Sequence, residues 1–527
     1  MYKVLVTDGV AQEGLKVLEQ APDVTVDIRP KLSPEELLTI IPDYDALIVR
    51  SATKVTAAVL EQATKLKIIG RAGVGVDNID VRAATARGII VANVPGGNTI
   101  AAAEHAVGMM LALARNIPQA NALTKAGKWD KKAFVGVELR HKVLGIIGLG
   151  RIGSEVAKRA RAMEMEMLAY DPYITEERAG ELGVRLVSLD TLLREADFIT
   201  IHIPLSKETY HLLDEAAFAK MKSGVRVINC ARGGIVDEAA LYAALKNGKV
   251  AGAALDVFEK EPLTESPLFS LPNVVVTPHL GASTVEAQLG VAAVIAEEVL
   301  VALRGGFVRN AVNVPFVRPE VLAEIGPFVG LAEKLGRFAA QLVSGRINLV
   351  ETKFTGEIAR HEVGLLTTAV LKGVLGVALQ EAVNFVNADE VARKRGIRVT
   401  ETRQEQEEDY VSLVSVRVVA PEGEHTLAGT LLRGKEPRVV AVDGYRVDAV
   451  PEGHMLFIPH MDRPRIIGQV GTLIGKHDIN IAAMQVGRKV IGGPAVMLLA
   501  VDSPVPEETL AEIAKVEGIM GVKMVNL

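Results

Sequence analysis

The stretch Val143-Leu144-Gly145-Ile146-Ile147-Gly148-Leu149-Gly150-Arg151-Ile152-Gly153 decides how this chain is read. Its apolar start gives a buried strand, and Gly148, Gly150 and Gly153 follow in the spacing G-x-G-x-x-G. A helical pattern over 154–163 comes directly after. Glycine spacing alone is a weak signal. Strand, tight turn and helix in that order aim backbone N–H groups at a pyrophosphate. A second strand over 165–170 ends in Asp171, about 20 residues beyond the glycines, where such a unit needs a carboxylate for the ribose hydroxyls. Asp171 would repel a 2′-phosphate, so the expected coenzyme is NAD rather than NADP.

The bulk numbers set the frame. A chain of 527 residues is too long for one core and predicts several domains. Hydrophobic content of 49% beside 23% charged residues describes a globular protein. A net charge of −5 offers no basic footprint, so no nucleic-acid partner is expected. Cys230 is the single cysteine, which excludes an internal disulfide and argues against a cysteine-based zinc site; no metal is expected. There is no basic-plus-apolar leader and no apolar run of bilayer length. No membrane partner and a cytoplasmic location are expected.

Working outward, the segment before the glycines alternates strands, over 3–7, 24–28, 46–50, 66–70 and 89–91, with helical patterns. One of these helices has Ser33 as its cap and Pro34 at its first position. Further strands over 198–201, 225–229, 252–257 and 274–277 follow the glycines. Such alternation predicts an α/β fold with two doubly wound parallel sheets. The first unit is short and lacks a closing element, so the helical pattern over 283–304 is expected to return to it. That makes a discontinuous substrate-binding domain, 1–97 and 287–315, around a nucleotide domain, 98–286. Beyond Pro315 an α+β unit spans 316–452. The last part, 453–527, orders strand, helix, strand, strand, helix, strand, a ferredoxin-like βαββαβ pattern.

A dehydrogenase at such a crevice needs a group to take a hydroxyl proton and a cation to hold the substrate. Arg232, Glu261 and His279 each lie just past a strand, where open parallel sheets bind ligands. Each has a plainer reading. A lone histidine after a strand is often structural, and Arg232 with Glu261 can be an ordinary loop ion pair of little worth.

Asn229-Cys230-Ala231-Arg232-Gly233-Gly234, Ala253-Ala254-Leu255-Asp256-Val257-Phe258 and Pro278-His279-Leu280-Gly281-Ala282, added to the glycine turn and Asp171, resemble the D-isomer-specific 2-hydroxyacid dehydrogenases. Arg50-Ser51-Ala52-Thr53-Lys54-Val55 and Gly70-Arg71-Ala72-Gly73-Val74-Gly75-Val76-Asp77-Asn78 resemble the branch that acts on 3-phospho-D-glycerate. The C-terminal half is similar to that branch's long form, with an intervening allosteric substrate-binding domain and an ACT domain. The resemblance implies a Rossmann-type nucleotide domain inserted in a flavodoxin-like substrate domain. It implies NAD-dependent oxidation of 3-phospho-D-glycerate to 3-phosphooxypyruvate, the first step of phosphorylated L-serine biosynthesis.

By the same resemblance, His279 is the acid/base, Glu261 its partner and Arg232 the substrate clamp. Arg151 and Ile152 follow the phosphate-binding glycines. Ile203, Cys230, Ala231, Asp256, Gly281 and Ala282 line the coenzyme, with Arg232 and His279 at its edge. Val74 lies near the nicotinamide, where the family often has a hydroxyl. Cys230 reads as packing. Backbone N–H groups at Gly73, Val74 and Gly75 cradle the substrate carboxylate. Arg50, Ser51 and Arg71 meet the phosphate end, and Asn98 faces substrate across the hinge. The helical pattern over 99–116 builds a two-fold interface, giving a homodimer or homotetramer. There His105 reads as structural and Trp129 as packing on a neighbouring subunit. In the ACT unit, Asp462 and Asn480 would bind a serine effector, although Arg465 stands where the family has glycine. Arg438 and Arg446 are candidates for an anion effector. The alternatives are a dehydrogenase of another D-2-hydroxy acid, such as glycerate or 2-hydroxyglutarate, and a non-catalytic NADH-sensing corepressor.

Overall fold

The computed structural model describes residues 1–315, 317–378, 383–406 and 409–527. Phe316, where the intervening unit of the sequence reading opens, lies outside the described residues, as do 379–382 and 407–408 within that unit. Strands β1 (Tyr2–Val6), β2 (Val24–Ile28), β3 (Ala46–Val49), β4 (Ile68–Arg71) and β5 (Ile90–Ala92) form one parallel sheet, ordered β2-β1-β3-β4-β5. Every residue of β3 is buried, because helices cover both faces. Ser33 closes a capping box with Glu36 at the start of the helix Pro34–Ile40.

Helix α1 (Thr99–Ala114) leads to the second sheet. Its strands are β6 (Val143–Ile147), β7 (Glu166–Tyr170), β8 (Arg185–Leu186), β9 (Phe198–Ile201), β10 (Val225–Asn229), β11 (Val250–Leu255) and β12 (Val274–Val276). They run in the order β12-β11-β10-β9-β6-β7-β8. Strand order reverses at β6, which has β7 on one side and β9 on the other. That switch point opens a crevice at the carboxyl ends of the strands. Helix α2 (Arg151–Ala162) begins three residues earlier than the apolar pattern suggests, because Gly150 serves as its N-cap.

Helix α3 (Val285–Leu303) follows the second sheet but packs on the first. Val291, Ile295, Val299 and Leu303 share a core with Val4, Val6, Ile48 and Ile68. A side chain at Gly70 would bring its Cβ to 2.7 Å from Ile295 Cγ1, so the helix needs glycine there to lie this close. Arg304 then forks onto Asp23 at 2.7 and 3.1 Å.

Helix α4 (Pro319–Leu342) opens the C-terminal half and packs along α5 (Gly364–Ala378). Beside them lies a mixed six-stranded sheet of β13 (Leu349–Gly356), β14 (Arg398–Gln404), β15 (Ser412–Ala420), β16 (Gly423–Leu432), β17 (Glu436–Val442) and β18 (Tyr445–Ala449). Its order is β14-β13-β15-β16-β17-β18. The last sheet, β19 (His454–Met461), β20 (Ile481–Arg488), β21 (Pro494–Val501) and β22 (Lys523–Asn526), is antiparallel with the order β20-β21-β19-β22. Helices α6 (Ile466–Lys476) and α7 (Glu507–Ala514) complete the βαββαβ pattern. Strand alternation splits its core. Leu456, Ile458, Met497 and Leu499 sit with Val470, Ile474 and Ile513 of α6 and α7, while Met455, Phe457, Val496 and Leu498 join the core of α4 and the six-stranded sheet. The α/β class and the two doubly wound sheets expected from the sequence are present. No described helix is long and apolar enough to cross a membrane.

Candidate active site

The glycine turn comes first. Gly148 leaves β6 with φ +93°, a conformation that side chains resist. Its Cα faces Ile203, whose Cγ2 would be 2.6 Å from an added Cβ. A Cβ on Gly153 would lie 2.1 Å from the Gly148 carbonyl oxygen, so the helix can sit on the turn only with glycine. Above Gly150 there is open space. No side chain caps α2, which leaves the N–H groups of its first turn, Arg151 and Ile152 included, for an anion. Asp171, at the end of β7, accepts the Leu149 N–H at 2.8 Å and the Tyr173 N–H at 2.9 Å. Cradle, open space and braced carboxylate fit a dinucleotide.

Three loops meet at the tips of β10, β11 and β12. Gly233 nests the first into the second: a Cβ there would be 1.8 Å from the Phe258 oxygen. Glu261 accepts the Phe258 N–H through Oε1 at 3.0 Å and holds His279 Nδ1 through Oε2 at 2.7 Å. The Glu261 carboxylate raises the His279 pKa above its ordinary value, against the opposing effect of burial. Burial pushes Glu261 upward, yet His279 and the Phe258 amide together leave it below its usual range. The imidazole is 45% exposed, so Nε2 is within reach of a ligand in the cleft.

His279 is left-handed, φ +55°, which costs a non-glycine residue roughly 1–2 kcal/mol. Asp256 holds it there. The N–H groups of His279, Leu280 and Gly281 end on Asp256 O, Oδ1 and Oδ2 at 2.9, 2.7 and 2.9 Å. Thr277 Oγ1 donates to Oδ1 at 2.6 Å, and His105 Nε2 lies 3.2 Å from the same atom. Burial would raise the Asp256 pKa, and these donors more than offset it, keeping the group ionised. Ala231 and Ala282 flank this cluster, half-buried. Burial, with the nearby Asp256 charge, pushes the Cys230 thiol well up, so it is no nucleophile. His105, Cys230 and Asp256 have ligand atoms within 4.8 Å of one another. A protonated thiol and a carboxylate already taken by hydrogen-bond donors suit a metal poorly.

Opposite these loops, the first sheet contributes Arg50 and Arg71, whose charges face Arg232 of the loop after β10. Arg232 Nε meets Asp77 Oδ2 at 3.2 Å. Arg71 is largely buried, its Nε has no partner among the described residues, and burial together with the Arg232 and Arg50 charges pushes its guanidinium down to about 10. The guanidinium groups of Arg71 and Arg232 both pack against the loop of Gly73, Val74 and Gly75. An added Cβ at Gly73 would strike Arg71 Nη1 at 1.5 Å, and one at Gly75 would strike Arg232 Nη2 at 2.3 Å. Arg50 is placed by Asp8, which accepts its N–H at 2.8 Å, and by Asn78, which donates to its carbonyl at 2.8 Å; exposed Ser51 follows it. Asn98 caps α1 without a side-chain bond, and its Oδ1 is buried with no partner. Clustered guanidinium groups with unused donors call for an anion. The sequence reading gave Asp8, Asp77 and Thr277 no role and took His105 as structural; the side-chain contacts of all four reach residues distant in the chain.

The C-terminal candidates stand apart. Asp462 accepts from Arg488 Nη1 at 2.9 Å and Gly492 N at 3.2 Å, and the arginine holds its carboxyl below the usual range. Asn480 donates to Asp502 at 2.8 Å. Arg465 takes φ +78° before α6 and makes no capping bond. Arg438 pairs with Glu436 and Asp448 at 3.1 and 3.3 Å, and Arg446 with Asp409. Trp129 is 78% exposed.

Residues 107–281 match the model of the D-isomer specific 2-hydroxyacid dehydrogenase NAD binding domain. Residues 324–443 match the D-3-phosphoglycerate dehydrogenase intervening domain, and 454–518 the ACT domain. The chain is 50% identical to a D-3-phosphoglycerate dehydrogenase of Archaeoglobus fulgidus, covering all of both chains. It is 49% identical to the Synechocystis protein of that name, over all of this chain and 95% of the other. The Bacillus subtilis protein of that name is 46% identical over the whole of both. Among solved structures, a Thermus thermophilus protein superposes with TM-score 0.56 at 36% identity, over 59% of this chain and 99% of its own. An Aquifex aeolicus D-lactate dehydrogenase complexed with NAD and lactic acid gives 0.53 at 31% over 59% and 99%. With that identity along its whole length and an NAD-binding domain at its centre, the chain belongs to the D-3-phosphoglycerate dehydrogenase family.

Proposed function

We propose that this protein oxidises 3-phospho-D-glycerate to 3-phosphooxypyruvate with NAD, the first step of phosphorylated L-serine biosynthesis. One observation carries the reading: the Glu261–His279 pair, 2.7 Å apart, opens on the cleft beside Arg232. Glu261 fixes Nδ1 of the imidazole, so Nε2 takes the proton from the substrate C2 hydroxyl, and the carboxylate stabilises the imidazolium that results. Arg232 and the N–H groups at Gly73, Val74 and Gly75 hold the substrate carboxylate, while Arg50, Ser51 and Arg71 receive the phosphate. Asn98, whose Oδ1 is buried without a partner among the described residues, faces the substrate across the hinge.

When bound on the turn before α2, NAD supplies the acceptor for the hydrogen that leaves C2 with its electron pair. Gly148, Gly150, Arg151, Ile152 and Gly153 hold the coenzyme phosphates and Asp171 the ribose. Ile203, Cys230, Ala231, Asp256, Gly281 and Ala282 line the rest, with Val74 offering the nicotinamide an apolar contact.

The same reading divides the chain into 1–97 with 287–315, 98–286, 316–452 and 453–527. It makes the protein a cytoplasmic homo-oligomer joined along α1, with Trp129 and Val135, further along the chain, 78% and 82% exposed for a neighbouring subunit. The ACT domain points to a small-molecule effector. Serine reaches Asp462 and Asn480 only if their present partners release them, and we propose that the resting enzyme is insensitive to it.

The test is NADH absorbance from purified protein with NAD at alkaline pH, offered phosphoglycerate, glycerate and 2-hydroxyglutarate in turn. Phosphoglycerate is expected to dominate. A signal only from an unphosphorylated acid would replace the substrate, and binding of NADH without any turnover would favour the corepressor alternative.

A further inference from the structure

Asp256 is wholly buried and fastens the loop of His279 through three consecutive N–H groups. Most of its donors belong to that loop. Among the described residues, His105 is the exception: it comes from α1, and its Nε2 lies 3.2 Å from Asp256 Oδ1 and 3.1 Å from Thr277 Oγ1. One helical turn on, Met109 also touches Thr277, Sδ to Oγ1 at 3.8 Å. The preceding residue, Glu104, pairs with Arg159 of α2 at 3.2 Å. Neighbouring residues of α1 therefore hold the coenzyme helix and the loop of the proposed acid/base.

We infer that His105 is a positioning residue for the oxidation: its Nε2–H, given to Asp256, keeps the strained loop in the one conformation that points His279 into the cleft. This rests on the roles proposed above for His279 and NAD. Four titratable groups face Asp256: His105 from α1, Cys230 from the end of β10, Glu261 beyond β11 and His279 beyond β12. Among the described residues, His105 is the one of these four whose side chain comes within hydrogen-bonding distance of the carboxylate, at 3.2 Å. A ring lacking the donor would fill the same space yet leave the buried carboxylate underserved. The loop would then sample other conformations, which costs turnover rather than binding.

The experiment compares wild type, His105→Phe, His105→Gln and Thr277→Val on phosphoglycerate with NAD, alongside NADH titration. The phenylalanine variant is expected to lose about tenfold or more in kcat, with KM and NADH affinity within about twofold. Glutamine restores an N–H and is expected to recover most of the loss. Thr277→Val strips a donor from the same oxygen while leaving the His105 ring in place, and is expected to lower kcat in the same manner. The inference is overturned if either apolar variant keeps wild-type kcat, if glutamine fails to rescue, or if NADH-binding sites fall in step with kcat. Should the wild type itself produce no NADH, the proposed function fails instead.

Discussion

Glu261 Oε2 stands 2.7 Å from His279 Nδ1, which leaves Nε2 as the nitrogen that can meet a substrate. The contact raises the His279 pKa, so the imidazole stays protonated to higher pH than a free histidine. Oxidation needs it neutral. The acid limb of kcat/KM for phosphoglycerate is therefore expected above the ordinary histidine value of about 6.5. Glu261→Gln removes the largest cause of the rise and moves that limb to lower pH. A limb that stays put, or moves up, excludes the pair from the ionisation that governs rate. His279→Ala, with Glu261 intact, is expected to lower kcat by about 10³ while NADH still binds.

The same pair makes a stability prediction with a definite sign. His279 is raised and Glu261 lowered. The histidine contribution is complete below its unfolded value and fades as pH climbs through the folded one. The glutamate contribution is present above its unfolded value and is lost as pH falls through the folded one. Stabilisation is thus confined to a window between ordinary carboxylate and raised histidine values. With both side chains part-exposed, at 45% and 34%, it is small. The difference in thermal midpoint between wild type and Glu261→Gln should peak inside that window and shrink on either side.

Much of this site was legible because its parts are local. The glycine turn is a run of backbone constraints, and Asp171 follows at a spacing the strand and helix lengths fix. Arg232, Glu261 and His279 follow strands, and parallel strands bring their ends to one side of the sheet. Contacts across the cleft were not legible. Asp77 reaches Arg232 from 155 positions away, and His105 reaches Thr277 from 172. Nothing near either residue marks it, since an alanine-rich helix needs no histidine and a polar turn needs no particular acid. The six-stranded sheet was equally obscure. β14 has no buried position at all, so it gives no apolar period, although β15 beside it alternates buried and half-buried residues.

Arg71 separates binding from stability. Its Nε is buried without a partner, and Arg232 and Arg50 oppose its charge. Arg71→Met is expected to raise KM for phosphoglycerate about 10- to 100-fold by loss of a charge-assisted contact. The same change removes like-charge repulsion, so the melting temperature in phosphate-free buffer should hold or rise. Inorganic phosphate should stabilise wild type more than the variant. A variant that melts lower and keeps its KM makes Arg71 a packing residue.

Asp171 faces two ways, accepting the Leu149 N–H at 2.8 Å while leaving acceptor capacity for a ribose. Asp171→Asn keeps an oxygen for Leu149 but removes the charge. NAD affinity should fall about tenfold, and NADP should gain, because the repulsion of a 2′-phosphate is gone. Unchanged preference, measured as the ratio of kcat/KM for the two coenzymes, would move the discrimination elsewhere.

The ACT domain yields the last prediction. Asp462 is held by Arg488 at 2.9 Å, Asn480 by Asp502 at 2.8 Å, and Arg465 occupies the turn into α6 where a ligand would need bare backbone. An amino-acid effector binding in the millimolar range has only about 4 kcal/mol of free energy at its disposal. Breaking these two exposed contacts takes only a part of that, and the Arg465 side chain must also leave the turn before a ligand can reach the backbone. Serine at about 1 mM is accordingly expected to leave the initial rate of the wild type unchanged. Arg465→Gly combined with Arg488→Ala frees both the backbone and the Asp462 carboxylate, and should introduce a serine-dependent rise in melting temperature. Inhibition of the wild type by serine would mean that these contacts yield to the ligand, and that the side-chain arrangement around Asp462 is a closed state rather than a blocked one.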